Sequence, residues 1–133
     1  MKYNLFLDDE RFPQQVHWIK LPLPSAEYVI VRNFDQFVTM IENNGLPEHL
    51  SLDHDLAFSH YAALDEFSDP KVYDEFAAAN EKTGYHCLKW LIDYCAAKGD
   101  LPLPKLTYHT LNSVGKVNMK ALAESYDRYR ESL

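Results

Sequence analysis

Short apolar segments rich in β-branched and aromatic residues alternate along this chain with segments of helical periodicity. The apolar segments are residues 2–7, 28–31, 49–52 and 105–110. Runs of this length are typical of strands that are buried on both faces of a sheet. Strands that alternate with helices predict an α/β fold with a mostly parallel sheet and right-handed crossovers.

Three segments have the apolar spacing of amphipathic helices. The first follows Asn33, a natural N-cap residue, and stops at Gly45. The second covers residues 83–98 and is followed by a terminating glycine. The third covers residues 117–130, with possible caps a few residues earlier.

Two connecting segments have no regular period. Residues 12–27 contain three prolines, which favours an irregular connection. Residues 56–80 are acidic and aromatic, and this segment is longer than most connections between a strand and a helix. We interpret it as an insertion after the third strand, with a short helix near residues 70–79. Residues 1–133 are predicted to form one domain.

An excess of acidic residues limits the partners that the protein can bind. Twenty Asp and Glu residues outweigh thirteen Lys and Arg residues, which gives a formal net charge of −7. Binding of an extended nucleic acid duplex is disfavoured because it depends on neutralising many phosphates. A small phosphorylated ligand stays compatible with this charge, since one local cation reverses the sign of the field at one site.

Several features predict a cytoplasmic protein without a membrane partner. No apolar run approaches the length of a membrane span, and Asp8 and Asp9 interrupt the N-terminal segment where a signal peptide would still be hydrophobic. Cys87 and Cys95 are two turns apart in a predicted helix, too far for a disulfide, which fits a reducing compartment. The sequence leaves the oligomeric state open.

Ionisable side chains follow three of the four predicted strands. These groups are residues 8–11, residues 53–55 and His109, with Asn112 close behind. If the strands lie in the order two, one, three, four, all three groups meet at one edge of the sheet, where ligands bind in open α/β folds. Clustered carboxylates repel one another unless they are protonated or share a cation. The cluster therefore predicts a divalent metal site.

The types of side chain in the cluster also suggest the chemistry. Carboxylate and amide oxygens favour Mg²⁺ or Ca²⁺, whereas added imidazoles shift the preference toward Mn²⁺, Fe²⁺ or Zn²⁺. Cleavage of a phosphoester needs one group to activate the attacking oxygen and another to protonate the leaving oxygen. His54 and His109 are candidates for this pair because imidazole titrates near pH 7. Arg11 is the candidate for binding the phosphoryl oxygens.

Structural roles remain open for the same residues. An Asp pair after a strand often forms a turn or caps a helix, and His109 is compatible with a hydrogen-bonded core position. Residues 113–116 offer a second, weaker phosphate-binding hypothesis because they precede a helix. The aromatic insertion is either a lid over the site or a segment that packs against the domain.

The motifs that carry these residues resemble a known family. The segments LFLDDERFP, SLDHDL, GYHCLKWL and HTLNSVGKVNM, in this order, are similar to the cyclic-phosphate processing receiver-like domain. This family is a divergent branch of the response-regulator receiver fold. The resemblance implies a compact, flavodoxin-like three-layer sandwich with a mostly parallel four-stranded sheet in the order 2-1-3-4. It also implies action on cyclic phosphates of nucleotides or RNA ends.

Matching positions in these motifs imply three groups of site residues. The metal ligands would be Asp8, Asp9 and Asp53, with Mg²⁺ or Mn²⁺ as the cation. The catalytic group would be His54, His109 and Asp55. The phosphate-binding residues would be Arg11, Lys89, Asn112 and Asn118.

We therefore expect a metal-assisted phosphoesterase that opens a cyclic phosphate on a nucleotide or an RNA terminus. Two alternatives stay open: a non-catalytic module that sequesters a nucleotide or phosphate, and a degenerate receiver that serves as an interaction domain. A phosphoacceptor role for Asp53 is disfavoured. The fourth strand ends in His109 where a receiver needs a hydroxyl residue, and no fifth strand with a lysine is evident.

Overall fold

Four parallel strands form the sheet that carries the candidate site. The computed structural model describes residues 2–56 and 82–133. The strands are β1 (Asn4–Leu7), β2 (Tyr28–Val31), β3 (His49–Leu52) and β4 (Lys105–Tyr108). Their order is β2-β1-β3-β4, and each neighbouring pair is parallel. The predicted α/β, flavodoxin-like fold and its strand order are confirmed.

Three α-helices accompany the strands in the described part of the chain. They are α1 (Phe34–Asn44), α2 (Gly84–Ala97) and α3 (Ser113–Glu131). Helix α1 has the predicted ends: the Asn33 side chain accepts the N–H of Gln36 at 2.8 Å, and Gly45 follows with φ of 80°. Helix α3 begins earlier than predicted because the Asn112 side chain accepts the N–H of Gly115 at 2.8 Å and so caps the first turn.

One hydrophobic core joins these helices to a single face of the sheet. Its fully buried strand residues are Leu5, Leu7, Leu50 and Leu52. Because side chains alternate along a strand, Phe6 and Ser51 lie on the opposite face. Neither Phe6 nor Ser51 belongs to the core cluster that includes the buried helix residues. The connection over residues 12–27, where a helix would otherwise follow β1, holds only two short 3-10 turns in agreement with its prolines.

The start of α2 packs directly on the end of β3. The N–H of Gly84 donates to the carbonyl of His54 at 2.7 Å. A Cβ atom on Gly84 would collide with the carbonyl oxygen of Asp53. Only glycine therefore allows this approach, which holds the backbone that carries Asp53 and His54.

Part of the predicted organisation lies outside the described residues. The insertion over residues 56–80 and its short helix fall on residues 57–81, except for Leu56, which is buried. Within residues 2–56 and 82–133, no helix combines the length and the apolar character that crossing a membrane requires.

Candidate active site

Three buried side chains from three neighbouring strand ends meet at one edge of the sheet. Asp8 follows β1, Asp53 follows β3 and His109 follows β4, and each is at most 1% exposed. One ligand-type atom from each of the three lies within 4.8 Å of the other two. Backbone hydrogen bonds continue the sheet to these residues, from Asp53 N–H to the Leu7 carbonyl and from His109 N–H to the Leu52 carbonyl, both 3.0 Å long. The carboxylate–imidazole cluster is therefore placed by the sheet itself.

Asp8 has the most hydrogen bonds of the cluster. Its Oδ1 atom accepts the backbone N–H groups of Glu10 at 3.0 Å and Arg11 at 2.9 Å. Its Oδ2 atom lies 3.0 Å from Nε2 of His109. Burial alone would raise the pKa of Asp8, but the hydrogen bonds with His109 and the two backbone groups outweigh it and lower the pKa. Asp8 is therefore ionised at neutral pH.

His109 is held from three directions. Its ring stacks on Phe6, with centroids 4.3 Å apart and planes 7° from parallel. Its Nδ1 atom lies 2.7 Å from Oγ of Ser51. Burial lowers the pKa of His109 against the opposing effect of Asp8, so the imidazole is neutral at pH 7. A neutral ring satisfies both contacts when Nε2–H donates to Asp8 and Nδ1 accepts the Ser51 hydroxyl.

We expect Ser51→Ala to lower the free energy of unfolding by about 1–3 kcal/mol, because it leaves Nδ1 of His109 buried without a partner. Urea denaturation at neutral pH measures this change. Ser125→Ala, at an exposed position of α3, is the matched control and should stay within about 0.5 kcal/mol of the parent protein. A Ser51→Ala variant as stable as this control would contradict the assigned hydrogen bond.

Two buried carboxylate oxygens beside Asp8 have no hydrogen-bond partner among residues 2–56 and 82–133. They are Oδ2 of Asp53 and Oδ1 of Asp9. Burial, reinforced by the negative charge of Asp8, raises the pKa of Asp53 to about 7 and that of Asp9 to about 6. A cation would satisfy these oxygens and remove the repulsion between neighbouring carboxylates. Both ring nitrogens of His109 are engaged by Ser51 and Asp8, so the donors offered to a cation are carboxylate oxygens, which fit Mg²⁺ or Mn²⁺.

Arg11 is the cation closest to the carboxylates in the described part of the chain. Its Nη1 atom lies 3.6 Å from Oδ2 of Asp8 and 4.0 Å from Oδ2 of Asp53. Both distances exceed that of a hydrogen bond, so the guanidinium balances charge without being tied to either carboxylate. Its N–H groups are therefore free of intramolecular hydrogen bonds within residues 2–56 and 82–133. They are available to donate to a phosphate.

Arg32, at the end of β2, holds the loop that carries Asp8 and Arg11. Its Nη1 atom donates to the carbonyl of Asp8 at 3.1 Å and to that of Arg11 at 2.7 Å. Its guanidinium also lies over the ring of Phe12, 4.8 Å from the centroid. The sequence contained no signal for this role, because a basic residue after a strand most often faces solvent.

A second group forms beside the carboxylates around His54. Its Nδ1 atom lies 3.0 Å from Oδ1 of Asp55, whose carboxylate also lies 3.3 and 3.4 Å from the amide nitrogen of Asn112. A carboxylate that accepts Nδ1–H leaves the lone pair of a neutral imidazole on Nε2. The start of α3 packs on this ring, since a Cβ atom on Gly115 would collide with it.

The remaining predicted phosphate-binding residues lie apart from these contacts. Lys89 in α2 and Asn118 in α3 are both exposed. In the part of the chain that the structure describes, no side-chain hydrogen bond or ion pair joins either residue to the cluster. Their proposed roles rest on the motif positions alone.

The fold and the site together define a class of protein. A parallel sheet in the order β2-β1-β3-β4, with aspartates at the carboxyl ends of β1 and β3, is a receiver-like α/β arrangement. A sequence model of the cyclic-phosphate processing receiver domain matches residues 3–125, and the chain belongs to that family. Neither a curated protein nor a solved structure gives a match to the chain.

Proposed function

We propose that this protein is a metal-assisted phosphoesterase that opens cyclic phosphates on nucleotides or RNA termini. The observation that carries the proposal is the pairing of two groups at one sheet edge. One is the cluster of Asp8, Asp53 and His109, whose unpartnered oxygen suits a cation. The other is the hydrogen-bonded pair of His54 and Asp55. Membership of the family supports a cyclic phosphate as the group that is processed.

The carboxylates supply the cation site. Asp8 and Asp53 would hold a divalent ion, together with Asp9, which follows Asp8 in the chain. When bound, the ion would stabilise the negative charge that develops on the phosphoryl oxygens. Arg11 would donate to another phosphoryl oxygen, because its guanidinium already lies beside both carboxylates and its N–H groups are not used elsewhere in the described residues.

His54 is the proposed general base. Asp55 orients the imidazole through Nδ1–H, so Nε2 can accept the proton of the attacking water. The water oxygen bonds to phosphorus, the P–O bond to one ribose oxygen breaks, and that oxygen takes a proton from solvent. Of the two candidate imidazoles, only that of His54 is partly exposed, at 14% against 0% for His109.

His109 fits a positioning role better than direct proton transfer. It has no exposed surface, and Ser51 and Asp8 occupy its two ring nitrogens. The hydrogen bond from Nε2 fixes the direction in which the Asp8 carboxylate faces the cation site. For His109 also to transfer a proton, as predicted from the sequence, its Nε2 atom would have to break the hydrogen bond with Asp8.

A module that sequesters a nucleotide or phosphate is the second candidate function. The Arg11 N–H groups, which make no hydrogen bond within the described residues, support this function as well as they support catalysis, because phosphate binding needs no general base. The experiment that separates the two uses purified protein with 2′,3′-cyclic nucleotides, Mn²⁺ or Mg²⁺, and a chelator control. We expect ring-opened nucleotide monophosphate in the presence of metal and none after chelation. Tight binding without product would support sequestration, and neither binding nor product would contradict both functions.

A further inference from the structure

Trp18 connects two parts of the site, although it lies in the irregular connection after β1. Its Nε1–H group donates to the backbone carbonyl of His109 at 2.6 Å. Its ring lies against the guanidinium of Arg11, with Cζ 5.1 Å from the ring centroid. The residue is 37% exposed, so it stands at the solvent edge of the buried cluster. The indole therefore links Arg11 to the end of β4.

Arg11 needs such a support because its ion pairs alone do not fix it. The two carboxylate contacts, at 3.6 and 4.0 Å, set no direction for the N–H groups. A long arginine side chain has many rotamers, and a free one would lose that freedom on binding phosphate. The indole of Trp18 restricts these rotamers in advance, because the guanidinium lies over its ring.

The two ends of Arg11 are thus held by different residues. Arg32 binds the backbone carbonyl of Arg11 at 2.7 Å. Trp18 lies against the far end of the side chain, and its own orientation is set by the hydrogen bond to His109. Trp18 has no charge, and neither a guanidinium nor an indole N–H group offers a lone pair to a metal ion.

We propose that Trp18 is a positioning residue that holds the Arg11 guanidinium beside the Asp8–Asp53 pair in the orientation that binds phosphate. The proposal rests on the phosphate-binding role of Arg11 in the proposed function. One face of the indole is occupied by Arg11, and its N–H is occupied by His109. This arrangement favours support of Arg11 over stacking of a nucleobase on Trp18.

The first experiment needs no ligand. Trp18 and Trp90 are the two tryptophans of the chain, so the Trp90→Phe protein reports on Trp18 alone. In this background, we expect Arg11→Ala to shift the emission of Trp18 to longer wavelength, because the covered ring face becomes exposed to water. Arg11→Lys should give a smaller shift. An emission spectrum that is unchanged by Arg11→Ala would overturn the proposal, whatever the protein binds.

The second experiment measures binding of inorganic phosphate in the presence of Mn²⁺ by calorimetry. We expect Trp18→Ala to weaken phosphate binding about fivefold and Trp18→Phe to weaken it less, because phenylalanine keeps a ring for Arg11 but loses the N–H that donates to His109. The affinity for Mn²⁺ alone should stay the same, since the carboxylates are unchanged. Trp18→Ala should have no further effect in an Arg11→Ala protein, because the two residues act as one unit.

Three results would be decisive against the proposal or the function. Equal weakening by Trp18→Ala with and without Arg11 would show that Trp18 acts independently and would overturn the proposal. If Trp18→Ala weakened binding of a 2′,3′-cyclic nucleotide but left phosphate binding unchanged, Trp18 would contact the nucleobase. That result would also overturn the proposal. If the parent protein bound no phosphate, the proposed function would be contradicted. The emission experiment alone would then test whether Trp18 holds Arg11.

Discussion

Replacing Asp53 by asparagine should make the metal-free protein more stable at pH 8 and remove its stabilisation by divalent metal. Burial and the charge of Asp8 raise the pKa of Asp53 to about 7, so at pH 8 the folded protein contains a buried carboxylate beside a second one. No hydrogen bond from the described part of the chain reaches its Oδ2 atom to offset this cost. Asparagine removes the charge with little change in shape, but it also removes a cation ligand.

The direction of the pH dependence follows from the raised pKa. In the unfolded chain Asp53 loses its proton near its ordinary pKa of 3.8, whereas in the folded state it keeps it until about pH 7. Between these values the folded state binds more protons than the unfolded state, so stability falls as the pH rises. A rise of the pKa from 3.8 to about 7 corresponds to ~4 kcal/mol at most. Asp9 adds a smaller decline of the same sign. His109 acts in the opposite direction below pH 6.5, because its lowered pKa makes the unfolded state bind more protons there. Asp53→Asn retains both groups, so the difference between the variant and the parent reports on Asp53.

Urea denaturation at pH 5 and pH 8, with chelator and with Mn²⁺, measures both effects. The parent protein should lose stability between the two pH values in chelator and regain it with Mn²⁺. Asp53→Asn should show a smaller loss and no gain with Mn²⁺. Asp93→Asn, at an exposed position of α2, is the control and should behave like the parent. An Asp53→Asn protein that is less stable than the parent at pH 8 in chelator would refute this account of the cluster.

Replacing His54 by alanine should lower the rate of cyclic nucleotide hydrolysis by a factor of about 10² to 10⁴, the usual contribution of a general base. In the described structure, the side chain of His54 has hydrogen-bond contacts with Asp55 and Asn112 and none with Asp8 or Asp53. Stabilisation by Mn²⁺ should therefore persist. The loss should appear in kcat more than in KM, because the imidazole acts on the attacking water and Arg11 binds the phosphate.

His49 provides the matched control for this variant. It begins β3, whereas His54 follows the other end of the same strand, so the two imidazoles lie at opposite edges of the sheet. His49→Ala should keep the parent rate. If the His54→Ala protein hydrolysed cyclic nucleotide at the parent rate, His54 would be excluded as the general base. Another group of the site would then have to accept the proton.

Much of the site was predictable because a parallel sheet brings its strand ends together. Asp8, Asp53 and His109 were each expected at a carboxyl end, and the confirmed strand order makes those ends neighbours. Trp18 could not be predicted, since its hydrogen bond with His109 spans 91 positions and has no local pattern. Ser51 had only a weak signal, as the one hydroxyl residue of an otherwise apolar strand end.

The amino-acid sequence by itself determined the strands, the helices of the described residues and the placement of acidic and imidazole groups after β1, β3 and β4, because these depend on local periodicity and chain direction. Only the tertiary structure decided how carboxyl groups at similar positions differ in protonation state. Asp8 and Asp53 are both buried aspartates at strand ends, yet hydrogen bonds lower the pKa of the first, whereas burial beside its negative charge raises that of the second to about 7. The protonation state of a carboxyl group depends on the donors and charges around it, and packing brings those from distant parts of the chain.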